Sequence, residues 1–214
     1  MKSFINGLIF YTCGLVLTSP AWALINVSPS VVDVSDKPVT FDISNQGDRP
    51  EFVSISLARL FNPGVEFEDE RLEAIVQVTQ PKIYATPFKL MLAPGQSKKI
   101  TLKPLAPVDV EQVYRLDIKP VVSLVDPKLS SVAGNVVVNL AYSSLVRYLP
   151  RNETSTLMVK CEAQGARFFA SGNTRFEVKD VTIEGKSIDS FNVYPGVPLL
   201  MKGKKIKVPQ QTEC

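Results

Sequence analysis

The chain has 214 residues and no histidine. That absence removes Ser-His-Asp and Cys-His nucleophiles, and with them histidine-ligated zinc. An enzyme would need paired carboxylates, a lysine or a cofactor. Net charge is also scarce: 24 basic against 21 acidic residues leave +3. That is too little for nucleic acid, and no Lys/Arg stripe interleaves with aromatic residues. No amphipathic helix of useful length can be drawn, and after the first 23 residues no apolar run is long enough to span a bilayer. What is present is a globular composition, 45% hydrophobic and 21% charged, punctuated by 16 prolines and 11 glycines.

Residues 1–23 read as a secretory signal peptide, with Lys2, an apolar run from Phe4 to Leu17, and Ala21-Trp22-Ala23 at the cleavage site. Cleavage is expected after Ala23. The run is shorter than the roughly 20 residues of a spanning helix. Lys2 leaves with the leader and lowers the net charge to +2. Cys13 also leaves, so Cys161 and Cys214 remain. In an exported chain two cysteines are most simply one disulfide. Two free thiols or an intermolecular pair are the alternatives. The bridge would contribute roughly 4 kcal/mol by loop-closure entropy.

The rest alternates with period two between turn residues, the signature of an all-β sandwich. Strands are expected at Leu24–Val34, Val39–Ser44, Glu51–Phe61, Ile75–Val78, Phe88–Leu92, Lys99–Leu102, Val113–Ile118 and Asn135–Leu149. Eight strands over residues 24–150 match an immunoglobulin-like sandwich. Asn45-Gln46-Gly47-Asp48 and Ala93-Pro94-Gly95-Gln96 are turns. The acidic stretch Glu66, Glu68, Asp69, Glu70, Glu73 reads as a solvated loop or strand edge. Pro150-Arg151-Asn152 is a linker. Residues 151–214 form a second, smaller β unit, with strands at Thr156–Glu162, Arg167–Ala170, Thr174–Ile183, Ser190–Val193 and Lys205–Val208.

Asn135–Leu149 is apolar on both faces. Val136, Val138, Leu140 and Tyr142 lie on one, and Val137, Ala141, Leu145 and Leu149 on the other. A sandwich strand commonly leaves one face to water. The second face therefore needs cover, from a neighbouring element or from a partner that accepts the strand at an open sheet edge. Arg147 follows near the end. On Val113–Lys119, Arg115, Asp117 and Lys119 share one face. If the two strands form a hairpin, Arg115, Lys119 and Arg147 could approach one another and bind a carboxylate. Ordinary surface charges are the bland reading.

PVTFDISNQG (38–47), FNPG (61–64), ATPFKLMLAPGQSKKITL (85–102), VYRLDIKP (113–120), VVVNLAYSSLVRYLP (136–150), SGNTRFEVKD (171–180) and NVYPG (192–196) carry a further signal. In order and spacing they resemble the periplasmic chaperones of the chaperone–usher pathway, in the alternate branch serving CS1 and colonisation-factor fimbriae. The resemblance implies two immunoglobulin-like sandwiches in a boomerang. It implies capture of fimbrial subunits that lack a strand, donor-strand complementation, and delivery to an outer-membrane usher in the periplasm of a Gram-negative bacterium.

Under the resemblance the donor residues are Val136, Val138, Leu140 and Tyr142. Basic residues of the interdomain cleft hold the subunit's C-terminal carboxylate. The first strand, LINVSPSVVDV, lacks the family's arginine, and the usual lysine position falls on Leu145. Arg147 is therefore the first candidate anchor, Arg115 the second and Lys119 the third. No metal, cofactor, nucleic acid or small-molecule substrate is expected, and the free protein is expected to self-associate. The alternative is a fimbrial structural subunit or adhesin. A carboxylate-based glycosidase fits poorly, because the acidic run lacks an aromatic platform.

Overall fold

The computed structural model describes residues 25–121, 140–209 and 213–214. Its regular structure is β-strand, with two short 3-10 turns. Among the described residues ten strands build the first unit: β1 Ile25–Ser28, β2 Val31–Val34, β3 Val39–Asn45, β4 Glu51–Leu60, β5 Leu72–Ala74, β6 Ile83–Thr86, β7 Lys89–Leu92, β8 Ser97–Pro104, β9 Gln112–Pro120 and β10 Tyr142–Tyr148. One sheet has the order β1-β3-β8-β6. The other runs β2-β10-β9-β4-β5, with β7 also on β4.

Period-two alternation makes these sheets two-faced. Phe41 and Ile43 of β3, Ile83 of β6, and Ile100 and Leu102 of β8 point inward from the first sheet. Val53, Ile55 and Leu57 of β4, Leu116 and Ile118 of β9, and Val146 and Tyr148 of β10 meet them from the second. The Asn45 turn is built by its own side chain. Nδ2 donates to the Arg49 and Leu92 carbonyls at 2.7 and 3.1 Å, and Oδ1 accepts the Gly47 N–H at 2.9 Å.

Three expectations change. Leu24–Val34 is two strands in different sheets. β1 pairs antiparallel with β3, whereas β2 pairs parallel with β10. Pro29, which cannot donate to a ladder, stands where the chain crosses over. Residues Ile75–Gln77 form a 3-10 turn, and the strands lie at β5 and β6 on either side. The acidic stretch is only partly solvated, because the Glu70 side chain is 3% exposed against Arg115.

The second unit has eight short strands among the described residues: β11 Leu157–Glu162, β12 Gly165–Ala170, β13 Phe176–Val178, β14 Thr182–Ile183, β15 Lys186–Ser187, β16 Phe191–Val193, β17 Leu199–Lys202 and β18 Ile206–Lys207. They form three small sheets, β11-β12-β17, β13-β16 and β15-β14-β18. Thr174–Ile183 is therefore broken into β13 and β14, while β15 and β17 add to the expected strands. Ala166, Phe168, Val178, Val181, Val193, Ile206 and Val208 make a separate core. Phe168 meets Phe191 edge to face at 5.3 Å. Gly165 cannot carry a side chain, since a Cβ would stand 2.0 Å from the Met201 carbonyl oxygen.

Cys161 and Cys214 are bonded to each other, with 5.2 Å between their Cα atoms. Cys214 also exchanges backbone hydrogen bonds with Ile206, at 2.9 and 3.3 Å. So small a core has few other restraints. The paired substitution Cys161→Ser/Cys214→Ser is expected to lower the stability of the second unit by about 2–4 kcal/mol. Urea melts of the two forms check this. Superimposable transitions would show the bridge to be dispensable.

Candidate functional site

The outer face of the β2-β10-β9-β4 sheet carries the basic candidates Arg147, Arg115 and Lys119. The expected hairpin exists: β10 pairs antiparallel with β9, setting Arg147 opposite Val113 and Leu145 opposite Arg115. On its other side Arg147 lies beside Asp33 of β2. At this end of the sheet Leu60 and Val113 also point outward. They are covered by Tyr194 of the second unit, with Leu145 and Val197 packed around the contact. Gly64 (φ +94°) turns the FNPG loop on the side facing Asn192 and Tyr194, which a Cβ added there would meet at 3.6 and 3.9 Å.

Polar contacts join the same surfaces. The Glu111 N–H donates to the Asn173 carbonyl at 2.8 Å. The Arg175 N–H donates to Glu111 Oε2 at 2.6 Å, and Arg175 Nη1 donates to Oε1 at 3.1 Å. Arg175 Nη2 reaches Asp33 Oδ2 at 3.3 Å. Gly172 lets this segment lie directly on residues 154–155, since a Cβ there would be 2.0 Å from the Thr154 carbonyl oxygen. Burial pushes the Glu111 carboxyl above its usual range. The Arg175 N–H and guanidinium pull it back. Burial likewise raises the Tyr194 phenol, against the pull of Arg147.

Beside this contact opens a cavity of about 350 Å³, lined by Arg147, Glu153, Ser155, Thr174, Arg175, Glu177 and Asn192. Among the described residues Arg147 makes one ion pair, with Asp33 at a long 3.6 Å, and it also hydrogen-bonds the Tyr194 phenol. Its Nε is buried without a hydrogen-bond partner. A guanidinium offers five donors in a planar fork, so Arg147 retains capacity for a carboxylate. Glu177 is already paired with Lys179 at 2.9 Å.

The other candidates separate from Arg147. Arg115 is engaged by Glu70, through Nε at 2.9 and 3.1 Å and through Nη2, and lies over the Phe67 ring at 5.8 Å. It holds the β4–β5 connection against the sheet. Lys119 is four residues farther along β9, about 13 Å, exposed, with Asp117 at 3.5 Å. Arg115 is thus one row from Arg147 on the same face but committed to Glu70, and Lys119 lies two rows beyond it. The second cation beside Arg147 is Arg175, which sequence reasoning missed. It lay within SGNTRFEVKD, but nothing in its spacing pointed to Arg147. Val136 and Val138 lie outside the described residues. Leu140 is 53% exposed. Tyr142 packs on the first core and its hydroxyl donates to the Ile25 carbonyl. That removes it from the exposed donor set, because its ring covers this protein's own sandwich. Among the described residues no group of three or more side chains could ligate a metal.

Comparison with known proteins bears on this geometry. No family model matches. The chain is 27% identical over 160 residues to a CS1 fimbrial subunit of Escherichia coli, covering 68% of this chain and 66% of that protein. It is 26% identical over 137 residues to a CFA/I fimbrial subunit of Escherichia coli, covering 61% and 56%. The chain thus spans just under two thirds of the first relative and less of the second. Among solved structures, the Class 5 fimbriae chaperone CfaA superimposes with a TM-score of 0.68 at 23% identity, over 88% of this chain and 93% of that one. The chain has the fold of the fimbrial chaperones. A structure of the Salmonella enterica SafA pilin in complex with the SafB chaperone also matches. Its TM-score is 0.58 at 14% identity, over 90% of this chain and 87% of that one. These matches extend over both units, so the fold is two immunoglobulin-like sandwiches.

The Arg175–Glu111 pair ties the two units together, and Glu111 has a fully buried side chain. Arg175→Ala would leave that carboxylate without its cation. The expected loss is roughly 2–3 kcal/mol, less than for a wholly buried pair because Arg175 is itself 20% exposed. Calorimetry should show it, together with a splitting of the two units' transitions. An unchanged single transition would mean that Leu60, Val113 and Tyr194 suffice.

Proposed function

We propose that this protein is a periplasmic chaperone. It captures fimbrial subunits that lack a strand, completes them with its own β10 edge, and passes them to an outer-membrane usher. The domains in this reading are residues 24–150 and 151–214, after removal of a leader at Ala23. The observation that carries it is the Arg147 cavity at the junction of two sandwiches, in a chain that matches 93% of a fimbriae chaperone's length.

The chemistry suits the role. A strand-deficient pilin exposes apolar side chains and unpaired backbone groups, and a donated strand satisfies both. In this scheme Val136, Val138 and Leu140 supply the apolar side chains. Arg147, assisted by Arg175, holds the subunit's C-terminal carboxylate, while Arg115 and Lys119 have other work. β2 covers β10 only from Leu145 to Tyr148, so among the described residues Tyr142, Ser143 and Ser144 of β10 have no β2 register partner on that edge. No helix among the described residues is long and apolar enough to cross a membrane.

The two curated relatives carry the name of fimbrial subunits, which favours the second reading, a structural role in the fimbria. The separate second core and the match to CfaA across both units favour the chaperone. Expression without partners separates them, because a strand-deficient pilin aggregates by itself and a chaperone stays soluble.

Two substitutions test the binding scheme. Val138→Asp or Leu140→Asp should abolish co-purification of a co-expressed subunit while the melting curve of the free protein stays unchanged. Arg147→Ala should weaken capture at least about tenfold, the usual consequence of losing one side of a charged, desolvated contact. Wild-type capture by the Asp variants would refute the donor assignment. Wild-type capture by Arg147→Ala would refute the anchor.

A further inference from the structure

The outer face of the β10-β9-β4-β7 sheet changes character along its length. At the end nearest the second unit the row is Leu60, Val113 and Arg147. Next comes Ala58, Arg115 and Leu145, then Ser56, Asp117 and Ser143. The row beyond holds Lys89, Ser54 and Lys119. The far row is apolar again. Phe52 of β4 is directly opposite Met91 of β7, and the Val121 N–H donates to the Phe52 carbonyl at 2.7 Å. Phe52, Met91 and Val121 are 52%, 45% and 50% exposed. Three neighbouring apolar side chains on one sheet face, each about half open to water, are unlike single scattered exposures.

Lysines surround this row. Lys98 Nζ donates to the Met91 carbonyl at 2.7 Å. Lys89 and Lys119 are exposed on the adjacent row, and the acidic side chain nearest them on this face is Asp117, 22% exposed. The patch thus has an apolar centre and a basic rim. It complements a protein surface with an apolar centre and an acidic rim. From Leu60 to Phe52 the face runs eight residues, about 26 Å. That is the width of a small globular domain lying with one end at Arg147. The patch also adjoins the end of β9 that neighbours β10, on the side where Leu140 approaches the sheet.

We infer that Phe52, Met91 and Val121, with Lys89, Lys98 and Lys119, form a second docking surface for the body of the captured fimbrial subunit, distant from the Arg147 cavity. The inference rests on the chaperone reading and adds to it the place where the subunit's exterior, as distinct from its open groove, is held. The apolar row supplies burial and the lysines select a pilin with acidic residues around the contact.

The test uses full-length protein co-expressed with a fimbrial subunit. Phe52→Asp/Met91→Asp sets like charges on directly opposed residues and costs some stability, so Phe52→Asp alone, whose melting curve should match wild type, is made beside it. The amount of pilin retained after extensive washing should fall at least about tenfold, the effect of losing two central apolar contacts. Lys89→Glu/Lys119→Glu should also reduce capture, and raising salt should weaken the wild-type complex but not that of the Glu variant. Capture equal to wild type by the Asp pair overturns the inference. So does a monomeric Asp pair beside a self-associated wild type, with capture unchanged, which would assign the patch to a second copy of this chain. Failure of the wild type itself to capture any pilin would refute the chaperone reading instead, so the two failures are distinguishable.

Discussion

The constraint on which the molecule depends is an apolar surface on the wrong side of a sheet. Leu60 and Val113 point away from the first core, and uncovered they would leave a hydrophobic patch at its end. Tyr194 covers them, and in doing so fixes the second unit against the first. Burying an aromatic ring of this size contributes on the order of 2 kcal/mol before ordering costs. The remaining contacts exploit that placement. Once Tyr194 is seated, Asn173 reaches the Glu111 backbone and Arg175 reaches its carboxylate. Gly172 lets the segment bearing Asn173 and Arg175 lie against Thr154, and Gly64 supplies the positive φ of the facing loop.

The same placement sorts the arginines. A guanidinium near a carboxylate on its own unit becomes a structural tie, as Arg115 does with Glu70. Arg175 is also tied, to Glu111 and Asp33. Arg147 differs because Asp33 is shared with Arg175 and lies at the outer limit of an ion pair. With Glu111 engaged by Arg175, Arg147 is the less fully paired cation beside the cavity. A long ion pair with an orphaned Nε contributes little stability, so the arrangement is poor as a structural bridge and well suited to receiving an anion.

Much of this was legible in the residues. Alternation located most strands of the first unit, because a half-buried sheet writes its faces directly into the sequence. Both cysteines were assigned by compartment and number, and the structure joins them. The β9–β10 hairpin was legible too, and it sets Arg147 beside the junction with the second unit. What was hidden depends on proximity between distant segments. Arg175 meets Arg147 only because the second unit folds back over β10, and no local pattern encodes that. Glu70 sits in an acidic run that reads as solvated, yet one member of five is buried by a cation 45 residues away. Tyr142 shares the parity of the apolar face, but parity does not say whether that face meets a partner or the strand's own core. Short strands such as β15 and β17 carry too few residues for alternation to register.

On the proposed function, the division of labour between apolar residues and arginine follows from strand geometry. A donated strand gains affinity from each buried side chain, roughly 1.5–3 kcal/mol for a Val or Leu. That term is indifferent to register as long as the alternation is kept. Yet a slip of one residue turns every side chain to the opposite face, and a slip of two misplaces each in its neighbour's pocket. Valine runs such as 136–138 discriminate weakly between these alternatives, since neighbouring positions are chemically alike. A carboxylate has no such ambiguity. Held at Arg147, the end of the pilin chain would be fixed at one point, and the pairing of every residue before it would follow. The arginine then acts mainly as a register mark, while the apolar side chains provide most of the affinity. In that scheme the cation follows an apolar run in the sequence, and histidine has no part to play.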